Sequence, residues 1–431
     1  MSGLSSVNQE ITQSNKKMKQ KLVFSALLLL STAAVAQTKS SAEEVVRRVA
    51  DNIIQTTSFQ FVNSKTNEKF ASTKGKDTSV NVKAESKFNK WMYVNGVLTV
   101  GMMRTNSVLN DTKYADYSKK NFNFIFDNLD YFKRQFEAGV NGVEYRPVFK
   151  IGSLDDCGSM AAGLLDVYAT DKRADYLDYL NRVGDYIINK QVKFPDGTLA
   201  RNGPRKMTLW ADDLYMSVPF LARMGKLTGD NKYFDFAIKQ VENFNHYIYD
   251  SASGLYYHAF YNDENMNGVA HWGRCNGWVA VAQAELLNNL PANHPKRAAL
   301  IKLLLRQIVG FSRYQDPSGM WHQLLDKPDS YLESSVTAMF VYTVAKAVNE
   351  GWIDKRFISV AQNGWEALAK KVTPDGQIPD ICIGTSIEED IRYYYTRPVA
   401  TNDTHGLGAF LMAGAEIIKA KDKLVDMEKR R

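Results

Sequence analysis

Cysteine is scarce in this chain. Cys157, Cys275 and Cys382 are the only three among 431 residues. So few thiols in so long a chain exclude a disulfide framework; one pair stays open, and the sequence does not assign it. No Cys-x-x-Cys or His-x-x-x-His spacing occurs, so the usual zinc patterns are missing too. Strong charge of one sign is also lacking. The net charge is +7, and the first 36 residues hold four lysines and one glutamate, which leaves about +4 for the remainder. That is too mild for a nucleic-acid partner and compatible with a small anionic substrate. Outside Leu22–Leu30 no segment approaches membrane-span length, and that run is itself too short.

What is present supports a large core. Hydrophobic residues make up 45% and aromatics 12%, with a charge density that excludes disorder. Length alone fits two or three domains, or one large repeat domain. The amino terminus reads as a leader. Lys16, Lys17, Lys19 and Lys21 precede the apolar run, and Ala34-Val35-Ala36 follows it as a small-x-small pattern. Cleavage is expected after Ala36, giving a periplasmic or secreted protein that starts near Gln37. Met18 is an alternative start.

Beyond the leader the chain is periodic. Six apolar segments rich in small residues run over 91–108, 156–170, 212–225, 274–290, 331–348 and 405–420. Amphipathic segments with charged faces alternate with them: 42–55, 112–136, 175–192, 232–249, 298–313 and 355–372. Helices rich in small residues pack on two sides and read as inner. Helices with one apolar stripe read as outer. Six such hairpins predict an all-α fold, an (α/α)6 toroid of twelve helices, since closure leaves no apolar face uncovered. The domain reading is therefore a leader over 1–36, an N-terminal segment over 37–90 that holds the first outer helix and an irregular polar stretch over 57–90, and the barrel over 91–431. The last two form a single domain.

Glycine turns such as Pro195-Asp196-Gly197, Gly254-Leu255-Tyr256-Tyr257-His258 and Gly319-Met320-Trp321-His322 lead into the inner helices. One mouth should collect these loops together with the inner-helix starts. Those starts are rich in acids: Asp155-Asp156, Asp212-Asp213, Asp329 and Asp403. Capping accounts for Asp155, Asp329 and Asp403. Asn95 opens the first inner helix and is a candidate for the cavity. Glu333 reads as structural, and Arg201, Arg205 and Lys206 read as a solvated basic loop. Asp212 and Asp213 cannot both face one point, because neighbouring helical residues diverge by about 100°. Carboxylates, an arginine, histidines and tryptophans gathered at one mouth suit a sugar acid. Tryptophan stacks on the ring, arginine pairs with a carboxylate, and a carboxylic acid moves protons.

Four motifs in order make a more specific match: Trp210-Ala211-Asp212-Asp213-Leu214-Tyr215-Met216, Gly254 to His258, Trp272-Gly273-Arg274-Cys275-Asn276-Gly277-Trp278, and Gly319 to Gln323 running on to Glu333. With Arg397-Pro398 and His405-Gly406, this stretch resembles glycoside hydrolase family 105, the unsaturated rhamnogalacturonyl hydrolases, related to the unsaturated glucuronyl hydrolases of family 88. The resemblance implies removal of a terminal uronic acid with a C4=C5 double bond from a lyase-generated oligosaccharide, without a metal or organic cofactor. It implies Asp212 as the general acid/base, Asp156 as a second carboxylate that raises the pKa of Asp212, and Trp210 as an aromatic wall. It also implies a substrate-binding set of His258, Trp272, Arg274 and Trp278, to which His322 and His405 are added. Which group pairs with the substrate carboxylate, the aglycone and the oligomeric state stay open.

Two enzyme alternatives compete. An ordinary inverting glycosidase on the same toroid would use Asp156 and Asp212 as its two carboxylates. A sugar epimerase or isomerase would use histidine as the proton carrier. A non-catalytic carbohydrate-binding protein would show aromatic platforms without a placed acid, and Asp212 argues against it.

Overall fold

Small side chains let the inner helices approach closely, and the ring they form sets everything else. The computed structural model describes residues 41–78 and 81–423. The leader reading, with cleavage after Ala36, lies outside them. The described residues from Ala42 onward form one compact unit. Twelve helical layers alternate as the periodicity predicts. The outer ring is α1 (Ala42–Thr56), α3 with α4 (Lys113–Phe126 and Leu129–Glu137), α6 (Ala174–Asp185), α8 (Asn231–Ile248), α10 (Arg297–Ser312) and α12 (Ile358–Lys371). The inner ring is α2 (Tyr93–Leu109), α5 (Gly158–Tyr168), α7 (Val218–Thr228), α9 (Gly273–Asn289), α11 (Ser334–Asn349) and α13 (Thr404–Lys419).

Each inner helix packs on the next, and α13 closes the ring against α2. Gly408 makes that closure possible: a Cβ there would lie 2.5 Å from the backbone carbon of Val97. The inner helices are buried nearly all round, whereas the outer ones bury a single stripe. The fold is the predicted (α/α)6 barrel.

The C-terminal halves of the inner helices share a buried charge network. Glu285 on α9 pairs with Arg104 on α2 and, at 2.7 Å, with Arg223 on α7, and it accepts from Tyr342 on α11. This end carries a cavity of about 620 Å³ lined by Arg104, Asp166, Arg223 and Lys346. The opposite end collects the inner-helix N-termini, whose partial positive charge favours anions.

Three departures from the sequence reading matter. The 57–90 segment is not irregular throughout. It holds an antiparallel sheet of β1 (Phe61–Asn63), β2 (Lys69–Phe70) and β3 (Val82–Ala84), ordered β2-β1-β3. Phe61 is fully buried and stacks on Phe124 at 4.4 Å, so one apolar face anchors an otherwise polar stretch. The third inner helix starts later than 212. Ala211–Leu214 is a 3-10 turn and α7 begins at Val218, because Pro219 lacks the N–H that would continue one helix through this point. Finally, Asp329 is no cap. It accepts from the Tyr395 hydroxyl at 2.9 Å, and Glu333 caps α11 instead, accepting from Ser335 N and Val336 N at 2.9 and 2.8 Å.

The loops at the mouth are joined by short β pairs. Strand β4 (Thr208–Trp210) pairs with β5 (Ala259–Tyr261), which pairs with β6 (Met266–Asn267). Trp272 bridges to Leu324. Strand β7 (Trp321–His322) pairs with β8 (Leu332–Glu333), and β9 (Ile381–Cys382) with β10 (Val399–Ala400). Glu333 Oε1 ties the last two pairs together by accepting from Cys382 N at 2.9 Å. The collar satisfies loop backbone that would otherwise need solvent, and it fixes the loops as a rigid rim.

Candidate active site

The β4–β5 register builds the centre of the site. Trp210 lies opposite Ala259, and Ala211 N donates to His258 O at 2.9 Å. The 3-10 turn then starts, and Asp212 emerges beside His258. His258 Nε2 is 3.0 Å from Asp212 Oδ2, and His258 Nδ1 is 2.8 Å from the Tyr394 hydroxyl. Trp210 lies edge-on to the His258 ring at 5.7 Å, and Trp272 packs on it at 4.7 Å.

The two adjacent acids separate completely. Successive residues in a 3-10 turn diverge by about 120°, from its 3.0 residues per turn. The Asp212 side chain keeps 14% exposure at the mouth, while that of Asp213 has none. Arg201 donates to both oxygens of Asp213 and, at 2.8 and 3.0 Å, to both oxygens of Asp155. It also lies 4.4 Å over the Trp210 ring. Arg201 is thus a buried clamp and not part of a solvated loop. Arg205 is also engaged, with Asp263, Glu264 and Glu389.

Asp156 does not take the position the family resemblance implied. Its carboxylate accepts from Gly152 N at 2.9 Å and lies 3.8 Å from Arg146. The preceding residue, Asp155, points to the site through Arg201. The reason is local: α5 begins only at Gly158, so the Asp-Asp pair sits in the preceding turn, where the two side chains take opposite sides. Asp155 is therefore no cap: its carboxylate accepts from Arg201.

Electrostatics also differ from the expectation of a raised Asp212. Burial pushes that carboxyl up, but His258, Arg201 and Arg274 outweigh it and hold it below the usual carboxylate range. Burial instead pushes Asp213 up to about 6, against Arg201 and with help from Asp155 and Asp212. Burial also lowers His405, against the pull of Asp403.

The remaining residues fall into two groups. Trp272 immediately precedes α9, and its buried Nε1 has no partner among the described residues. Arg274 stacks over Trp272 at 4.5 Å and donates to the carbonyls of Cys382 and Ile383. Trp278 packs on Tyr215 at 4.6 Å and meets Tyr93 edge-on at 6.4 Å, and His405 lies 5.6 Å from Tyr93. These line or back the mouth. His322 is held elsewhere: its ring nitrogens engage Ser330 O and, at 3.3 Å, Asp316. Asn95 is spent on the Lys87 and Lys90 carbonyls at 3.0 and 2.8 Å. Asp403 caps α13 through His405 N, as expected. All three cysteines are free and buried, and among the described residues no three of His, Cys, Asp and Glu converge to hold a metal ion.

Sequence reasoning missed Tyr93, Asp155, Arg201 and Tyr394. Asp155 carried a signal as one of a pair. Tyr394 carried none, being the middle of Tyr393-Tyr394-Tyr395 with nothing to say which ring turns inward.

A ring of inner-helix starts that presents a carboxylate paired with a histidine, among tryptophans and arginines, defines a carbohydrate-processing site. Residues 64–421 match the family described as Glycosyl Hydrolase Family 88. The chain belongs to that family and is a glycoside hydrolase. Over 256 residues it is 30% identical to the unsaturated rhamnogalacturonyl hydrolase YesR of Bacillus subtilis (strain 168), a match that spans 58% of this chain and 72% of that one. Its fold is similar to a candidate member of family 105 from Klebsiella pneumoniae, with a TM-score of 0.72 at 22% identity over 90% of this chain and 95% of that one. It is also similar to the unsaturated glucuronyl hydrolase of Bacillus sp. GL1, with a TM-score of 0.59 at 15% identity over 88% and 96%. The resemblance to families 105 and 88 read from the four motifs agrees with these matches.

Proposed function

We propose that this enzyme releases a terminal 4,5-unsaturated galacturonyl or glucuronyl residue from lyase-generated oligosaccharides, with Asp212 as general acid and then base. Asp212 delivers a proton to C4 while the π electrons of the C4=C5 bond form the new C–H bond. Water adds at C5 and gives its proton back to Asp212. The resulting hemiketal opens and releases the saccharide. One carboxyl thus serves both steps.

The observation that carries this reading is the split between the adjacent acids. Asp212 is open to the mouth beside His258, whereas Asp213 is buried under Arg201. The arginines that hold Asp212 ionised suit an anionic substrate. A uronate carboxylate at the mouth offsets their field and eases protonation of Asp212. Trp210 supplies an aromatic wall beside His258, and Trp272, fully buried, backs the same imidazole. The name of YesR gives it the same class of substrate.

The alternatives fit the geometry less well. An inverting glycosidase needs a second carboxylate free to activate water. Asp155 is locked to Arg201 and Asp156 to Gly152. An epimerase would need a histidine free to carry protons, but His258 is committed at both nitrogens.

A panel of unsaturated disaccharides from rhamnogalacturonan, glucuronan and ulvan-type polymers tests the substrate class. Loss of the ultraviolet absorbance of the conjugated double bond with release of the saccharide is expected for at least one. Persistence on all of them rejects the proposal. We also propose that the enzyme is exported. Sequencing of the mature amino terminus is expected to start at Gln37, and an unprocessed terminus contradicts it.

A further inference from the structure

The His258–Asp212 pair poses a problem for any proton-transfer chemistry at this mouth. One proton added to the pair can sit on the imidazole, giving an ion pair, or on the carboxyl, giving a neutral pair. Only the second state holds an acid ready to react. Something must decide between them, and the candidate lies behind the imidazole.

Tyr394 belongs to the short helix Ile391–Tyr395, far in sequence from both partners. Its hydroxyl is 2.8 Å from His258 Nδ1 and accepts from Glu388 N at 3.2 Å. Both side chains are about 1% exposed. The backbone N–H of Glu388 can only donate, so it occupies the phenol oxygen as an acceptor. The phenol's own hydrogen therefore needs an acceptor, and His258 Nδ1 is the one within reach. Burial raises the phenol pKa, so this hydrogen stays in place. The rings of Trp210 and Trp272 also pack against the imidazole and carry no charge. Apart from His258 itself, the charged groups that act on Asp212 are Arg201 and Arg274.

We propose that Tyr394 is a positioning residue that holds His258 neutral with its hydrogen on Nε2, so that the proton taken up by the pair resides on Asp212. The chain of donors then runs one way: Glu388 N–H to Tyr394 O, Tyr394 O–H to His258 Nδ1, His258 Nε2–H to Asp212 Oδ2. With Oδ2 accepting, the added proton goes to Oδ1, the oxygen left for a substrate. Protonation of Nδ1 would require the phenol to turn away and leave a buried O–H without an acceptor. A tyrosine is needed because phenylalanine fills the same space with no hydrogen to give.

The inference rests on the proposed role of Asp212, but its first test does not use activity. The full-length protein is labelled with 15N-histidine, and the His258 signals are assigned by their loss in His258→Gln. A proton-bearing Nε2 and a bare Nδ1 are expected throughout the pH range of turnover. A hydrogen on Nδ1, or a doubly protonated ring, overturns the proposal whether or not any substrate is cleaved. The second test is Tyr394→Phe. We expect kcat to fall roughly tenfold or more with KM within about twofold, the ring to take up its second proton at pH values where the wild-type ring is neutral, and the alkaline limb of the kcat profile to move up. A variant with a lower Tm but an unchanged profile and tautomer shows Tyr394 to be packing only and overturns the proposal. If the variant does not fold, the wild-type tautomer decides alone. Failure of every unsaturated substrate with the expected tautomer would reject the proposed function and leave the hydrogen-bond assignment standing.

Discussion

The guanidinium of Arg201 grips the buried carboxylate of Asp213, with nitrogen–oxygen distances from 2.6 to 3.0 Å. This one pairing explains why two adjacent acids differ so much. It removes Asp213 from the mouth, brings Asp155 to the same cation and leaves Asp212 to face His258.

Arg201→Ala leaves two carboxylates without their cation, one of them fully buried. Breaking a buried pair from one side costs about 3–5 kcal/mol. Chemical denaturation is expected to show a loss of that size, with Arg201→Lys intermediate because lysine keeps the charge but not the fork. A loss below about 1 kcal/mol in the alanine variant, the range of a surface pair, contradicts the clamp.

Asp213 gives a pH signature. Its folded pKa, pushed up to about 6, lies above the ordinary carboxylate value. The fold therefore binds this proton more tightly than the unfolded chain does. The stability it contributes is full below the unfolded value and is lost as pH rises through about 6. The stability of wild type relative to Asp213→Asn is expected to decline across that window and level off above it, as read by denaturation at a series of pH values. A flat difference contradicts it.

The placement of Asp155 and Asp156 makes opposite demands on two conservative variants. Asp155→Asn weakens the grip of Arg201 and shifts the turn that carries Asp212. A misplacement of about 1 Å can cost about 100-fold, so kcat/KM is expected to fall roughly 10- to 100-fold. Asp156→Asn can still accept from Gly152 N and is expected to stay within a few-fold. Steady-state kinetics in the reverse order would restore Asp156 to the role that the motif implied.

At the end away from the mouth, Glu285 is held down at about 2 by Arg104, Arg223 and Tyr342 in spite of burial. Its folded pKa lies below the ordinary value, so its contribution is present above about 4.5 and is lost as pH falls toward 2. Glu285→Gln is expected to cost about 3–5 kcal/mol at neutral pH and to lack this acid-side loss. Turnover by the folded fraction should persist, because the network lies at the end away from the mouth. Thermal unfolding against pH, with activity at the same points, checks both statements.

Much of the fold was legible because it is built on repetition. Helices such as Gly273–Asn289 and Ser334–Asn349 must pack on two sides, and their small residues say so. The site was legible where a motif marks a residue, as with Trp210, Asp212 and His258. What stayed hidden depended on direction. Nothing local tells which of Asp155 and Asp156 turns toward Arg201, which of three tyrosines reaches His258, or that Arg201 is buried by carboxylates 12 and 46 residues away. Pro219 did announce the break that puts Asp212 on a 3-10 turn, but the apolar run around it reads as one continuous helix. The sheet at Phe61 was masked by the polar residues of its exposed face.

The most direct test of the central claim compares wild type with Asp212→Asn on an unsaturated uronyl disaccharide, following the double-bond absorbance and the released sugar together. The wild type is expected to lose the absorbance as the sugar appears. The variant, with an unchanged Tm, is expected to be slower by about 100- to 10,000-fold, the range of a general acid–base group. Retained turnover in the variant would contradict the assignment of Asp212 as the proton carrier.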